Sequence, residues 1–119
     1  MVAVPCLLLF ASVTVAAVTE IHASHILVSS EALSEEVFAR VQQGEDFALL
    51  ASEYSMDHET RTKGGDLGWF GRKKYDVELD KALFDLGPHK PNDIIWVQSG
   101  PDSYHIVKVH ESREGPTDL

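Results

Sequence analysis

Between Glu20 and His110 the sequence passes from a β-compatible run to helical spacing and back to β-compatible runs, and that order limits the folds open to it. The first run, EIHASHILV (20–28), reads as a strand, with Ala23, His25 and Leu27 on one face and Ser24, Ile26 and Val28 on the other. Ser30 is placed to cap a helix beginning at Glu31, where Leu33, Val37 and Val41 recur at helical spacing with Phe38 alongside. Gly44 is a natural stop for it. Asp46 can cap a second helix, in which Phe47, Leu50, Ala51 and Tyr54 fall at i, i+3, i+4 and i+7.

The polar, Gly-ended stretch 55–65 reads as a loop, and DLGWF (66–70) as a short strand. A third helix is expected from Val77 to Leu86, with Leu79, Ala82, Leu83 and Leu86 on one stripe and Gly87-Pro88 ending it. Two further strands, Ile94 to Gln98 and Tyr104 to His110, are joined by Ser99-Gly100-Pro101-Asp102, which is turn chemistry. The order predicts an α+β class, with helices packed around a small, mainly antiparallel sheet.

Charge narrows the function. The 119 residues are enough for one domain, and a formal net charge of -9 argues against a general nucleic-acid binder, which needs a basic footprint. Basic residues are unevenly placed: Arg40 stands alone up to residue 60, and Arg61, Lys63, Arg72, Lys73 and Lys74 then cluster. Such a stretch either docks an acidic partner or is a solvated loop.

Residues 2–18 carry no charge and end in small residues, Val15-Ala16-Ala17. Residues 1–17 are read as a signal peptide, which places the protein in the secretory pathway, extracytoplasmic or secreted; the alternatives are a membrane anchor through residues 2–18 and a buried segment. The folded domain is then 20–112, with a short tail at 113–119. The single cysteine, Cys6, lies in the leader, so the mature chain would have neither disulfide nor thiol chemistry.

Three segments together resemble the parvulin family of peptidyl-prolyl cis/trans isomerases: Ala23-Ser24-His25-Ile26-Leu27-Val28, the stretch FALLASEYSMDHETRTKGGDLGWF from Phe47 to Phe70, and Tyr104-His105-Ile106-Val107-Lys108-Val109. The middle stretch, with Ser-x-Asp and Gly-Gly-Asp-Leu-Gly-x-Phe in register, is the specific one. The resemblance implies a four-stranded antiparallel sheet surrounded by helices, with no WW module ahead of it. It also implies a catalyst of X-Pro bond rotation that assists protein folding and uses no cofactor or metal. His25 and His105 match the family's paired central-strand histidines, and Asp57 falls where parvulins carry Cys or Asp facing the substrate carbonyl.

Leu67 and Phe70 match positions lining the proline pocket. Counting forward without gaps, Tyr75 and Leu79 replace the Met and Phe often found there. Leu79 also sits on the buried stripe of the third helix. Ser103 stands where many parvulins have Gly, two residues ahead of His105.

The link Ser29-Ser30-Glu31 holds no Lys or Arg, so a phosphate-directed preference is not expected. The basic stretch flanking the site leads instead to an expectation of acidic residues near the substrate proline, within unfolded proline-containing polypeptides. Nothing in the sequence demands more than a monomer. The rival reading is a parvulin-fold chaperone or binding module with little isomerase activity, favoured by the altered pocket. A metal held by His22 and His25 is disfavoured, because residues three apart on a strand point to opposite faces.

Overall fold

The computed structural model describes residues 18–114; the leader expected at 1–17 and the end of the tail lie outside the described residues. The elements are β1 (Glu20–Val28), α1 (Glu31–Gln42), α2 (Phe47–Tyr54), a 3₁₀ turn (Arg61–Lys63), β2 (Asp66–Gly71), α3 (Val77–Asp80, running on as a π-helical turn over Lys81–Asp85), β3 (Ile94–Gly100) and β4 (Ser103–Arg113). The strands form one sheet in the order β2-β1-β4-β3, every neighbouring pair antiparallel. The fold is α+β with a four-stranded antiparallel sheet and three helices, as the sequence predicts.

Local chemistry accounts for the boundaries. The Ser30 hydroxyl accepts from the Leu33 amide at the start of α1, and Gly44 follows the helix with φ +95°. The Asp46 carboxylate accepts from the Ala48 and Leu49 amides to open α2, and Asp76 accepts from Leu79 to open α3. Sequence periodicity fails at one point, the end of α3. There the Leu86 amide bonds back five residues to the Lys81 carbonyl. That wider turn rotates the chain out of 3.6-residue phase, so Leu86 is exposed while Leu79 and Leu83 stay buried.

Each face of the sheet has its own core. Ile26, Val28, Tyr104 and Ile106 pack against Val37 and Val41 of α1 and Phe47, Leu50 and Ala51 of α2. Ile21, Ala23, Val107, Val109, Val97 and Phe70 pack against Leu79 and Leu83 of α3. One polar contact crosses the first core: the Trp96 indole N–H donates to the Ser34 hydroxyl at 2.8 Å, and that hydroxyl donates to the Glu31 carbonyl. At the far end of the sheet β4 runs to Arg113, one residue past the expected domain end, and its guanidinium pairs with Glu20 at 2.7 Å. No helix among the described residues is long and apolar enough to cross a membrane.

Candidate active site

β1 and β4 are the two central strands, and their register sets Leu27 opposite His105 and His25 opposite Val107. The two histidines therefore lie diagonally on one face. Their rings stack with centroids 5.2 Å apart and the Nδ1 atoms 3.1 Å apart. Both are almost fully buried.

The loop after α2 brings the third group. The Met56 amide donates to the Leu27 carbonyl, and the Ser55 hydroxyl accepts from the amides of Leu27 and Asp57. Pinned in this way to the end of β1, Asp57 places Oδ2 2.7 Å from His25 Nε2 and 2.7 Å from the Thr60 hydroxyl. Gly65 closes the loop from the other side. Its carbonyl accepts from the His25 amide at 2.9 Å and its φ is +79°, and a Cβ there would overlap the His25 carbonyl oxygen. Only glycine meets both conditions without strain.

The partners fix the protons. Burial works against the Asp57 charge, but hydrogen bonds from His25 and Thr60 outweigh it and hold its pKa below the usual carboxylate value. Facing that carboxylate, His25 donates from Nε2. In the tautomer that puts a single proton on each ring, His25 Nδ1 accepts from His105 Nδ1–H, and His105 Nε2 is left as an acceptor. The Ser99 hydroxyl is 3.0 Å from that nitrogen and 2.9 Å from the Ser103 hydroxyl. Burial, and then the neighbouring His25, push the His105 pKa down to about 4 against the opposing pull of Asp76 and Asp57. A single chain of hydrogen bonds thus runs from the β3–β4 hairpin through two imidazoles to the Asp57 carboxylate.

This polar chain ends in a groove of about 620 Å³, within the usual range for ligand pockets. His25, Leu27, Asp57, Thr60, Leu67 and Tyr75 line it, with Glu59, Lys63 and Asp66 at its polar edge. Phe70 lies behind Tyr75, the rings edge-on with centroids 4.9 Å apart, and is itself buried. The expectation that Leu79 forms a wall needs correction: it is 1% exposed and packed in the α3 core, so it supports the groove from behind and offers no surface to a ligand. His22 also stands apart from His25, bonded to Asp66 at 2.9 Å with its ring against His110.

The sequence gives Thr60 and Ser99 no role in the site and marks Ser103 only as a departure from the family's Gly. A signal for Ser103 was present, since it shares a strand face with His105 two residues on. Ser99 had none, because the irregular pairing between Gln98 and Gly100 decides where it falls.

The family model described as the PPIC-type PPIase domain matches residues 8–113. The chain belongs to the PPIC-type PPIase domain family. Over 95 residues it is 42% identical to the foldase protein PrsA of Geobacillus kaustophilus, covering 80% of this chain and 33% of that protein. The chain thus spans about a third of the length of the curated relatives it matches. Among solved structures it superposes on the peptidylprolyl isomerase PrsA of Bacillus anthracis with a TM-score of 0.73 and 37% identity, covering 83% of this chain and 45% of that one. It also superposes on NmPin, the parvulin of Nitrosopumilus maritimus, with a TM-score of 0.66 and 29% identity, covering 78% and 97% of the two chains. The PPIC-type domain here has the parvulin fold, related to PrsA and to small archaeal parvulins.

Proposed function

We propose that the groove accelerates cis/trans rotation of X-Pro peptide bonds in polypeptide substrates, with His25, Asp57 and His105 as the polar site and Leu67 and Tyr75, backed by Phe70, as the proline wall. The observation that carries this reading is the position of an ionised carboxylate, held by a buried two-histidine chain, beside an apolar wall in one groove.

Rotation about an amide is slow because C–N resonance must be lost, a barrier of about 18–20 kcal/mol. In the planar amide that resonance places negative charge on the carbonyl oxygen, and in the twisted amide the charge withdraws. A carboxylate fixed next to that oxygen raises the planar state more than the twisted one, which lowers the barrier without any covalent step. The histidine chain holds Asp57 in place so that its field acts in one direction. Removing about 5 kcal/mol in this way gives several thousandfold in rate.

Three finer points belong to the same proposal. The β1–α1 link carries Ser29, Ser30 and Glu31 and no cation, which supports a substrate range that is not phosphate-directed. The uncharged segment 2–18 supports an extracytoplasmic location through a leader or an anchor. Similarity to proteins named foldases supports a role in assisting protein folding.

The test is exchange of a proline tetrapeptide followed by NMR. The intact protein should accelerate it, and Asp57→Ala should lower the rate at least tenfold while the amide spectrum stays dispersed. An unchanged rate would remove Asp57 from the mechanism. Exchange no faster than in buffer, together with suppressed aggregation of an unfolded client, would favour the chaperone reading.

A further inference from the structure

The charge that faces the groove is not the charge of the basic stretch beside it. Of Arg61, Lys63, Arg72, Lys73 and Lys74, only Lys63 lines the groove. Arg72 is held by Asp80 and Asp85 and lies against the Phe84 ring. The Arg61 guanidinium donates to the Ser52 carbonyl. Neither is turned to a ligand.

The remaining charges lining the groove are the carboxylates of Asp57, Glu59 and Asp66. Asp57 is engaged by His25 and Thr60, and Asp66 by His22 and the Gly68 amide. The Glu59 amide donates to Asp57 Oδ1, while its own exposed carboxylate takes no hydrogen bond or ion pair among the described residues. Asp76 adds a further carboxylate 3.6 Å from His105 Nε2. Tyr75, on the groove wall, registers the resulting field: burial first, and then the charges of Asp57 and Glu59, raise its phenol pKa.

We infer that the groove selects substrates carrying a cationic side chain next to the proline, with Glu59 strengthening and Lys63 weakening that preference. This rests on the isomerase reading of the same groove and reverses the acidic preference expected from the clustered lysines and arginines.

Coulomb's law sets the expected size. Two unit charges about 7 Å apart in a water-like medium change an affinity about threefold. The groove carries three carboxylates against one ammonium, and exchanging Lys for Glu in a peptide changes its charge by two. Four such steps multiply to about 50-fold without salt. At 0.1 M ionic strength screening halves the energy at this distance and leaves about sevenfold. At 1 M the ratio should fall below about twofold.

The experiment compares four tetrapeptides, Ala-Lys-Pro-Phe, Ala-Glu-Pro-Phe, Ala-Ala-Pro-Lys and Ala-Ala-Pro-Glu. Affinity is read from amide chemical-shift titration of the protein, and exchange rate from NMR lineshapes of the peptide. Lys should exceed Glu about sevenfold at one of the two positions. Glu59→Gln should cut the ratio to about threefold, and Lys63→Gln should raise it to about 20-fold. Equal affinities, a Glu preference, or a ratio insensitive to both variants would overturn the inference. If no peptide's exchange is accelerated, the isomerase reading fails by itself, and the affinity ratios still decide the charge preference.

Discussion

Mild acid should loosen this domain through one buried ring. His105 is 5% exposed, and its pKa falls from 6.5 to about 4 on folding because burial disfavours the imidazolium. The unfolded chain therefore binds this proton first. The contribution of neutral His105 to stability is complete above about pH 6.5 and is lost as the pH falls towards 4. The whole difference corresponds to about 3.4 kcal/mol, of which about 2 kcal/mol is lost between pH 7 and pH 5. In a domain of this size that lowers the melting temperature by about 8–16 °C.

Two other groups bear on the window. Burial and the neighbouring His22 and Lys108 also lower the His110 pKa, which adds a loss of the same sign. Asp57, whose pKa is lowered as well, contributes only below about pH 4. Urea unfolding of the wild type and of His105→Gln at both pH values isolates the ring, since the difference between the two pH responses should be about 2 kcal/mol. The ring resonance of His105 should titrate near pH 4. A midpoint above about pH 6, or equal pH responses in the two proteins, would refute the reasoning.

Two packing predictions follow from single contacts. Gly65→Ala forces a β-carbon into the His25 carbonyl at a φ of +79°, and should cost at least about 3 kcal/mol, or roughly 12 °C or more in thermal unfolding; a fall under about 4 °C would show that the loop can give way. Ser34→Ala leaves the Trp96 indole N–H without its acceptor and should lower stability by about 1–2 kcal/mol in urea, which an unchanged midpoint would contradict.

The strand Glu20–Val28, both long-helix starts and the strand at Asp66 were legible in the sequence because each is decided by neighbours a few residues away. Side-chain alternation put His25 and Leu27 on one face, and Ser30, Asp46 and Gly44 bound their helices by contacts within three or four residues. The resemblance carried by Ala23–Val28, Phe47–Phe70 and Tyr104–Val109 together then picked out Asp57 and the two histidines as candidate site residues.

What the sequence could not hold is anything set by the meeting of distant segments. The register of β1 on β4 stacks the two imidazoles, and an irregular pairing at the end of β3 brings Ser99 to His105. The π turn in α3 exposes Leu86, and packing against the sheet takes Leu79 out of the groove and into the core. Charge shows the difference most clearly. Composition places five cations beside the site, yet Asp80, Asp85 and the Ser52 carbonyl hold two of them, and carboxylates line the groove. Local periodicity is written along the chain, whereas the field at a site depends on which side chains are already paired, and only the tertiary contacts decide that.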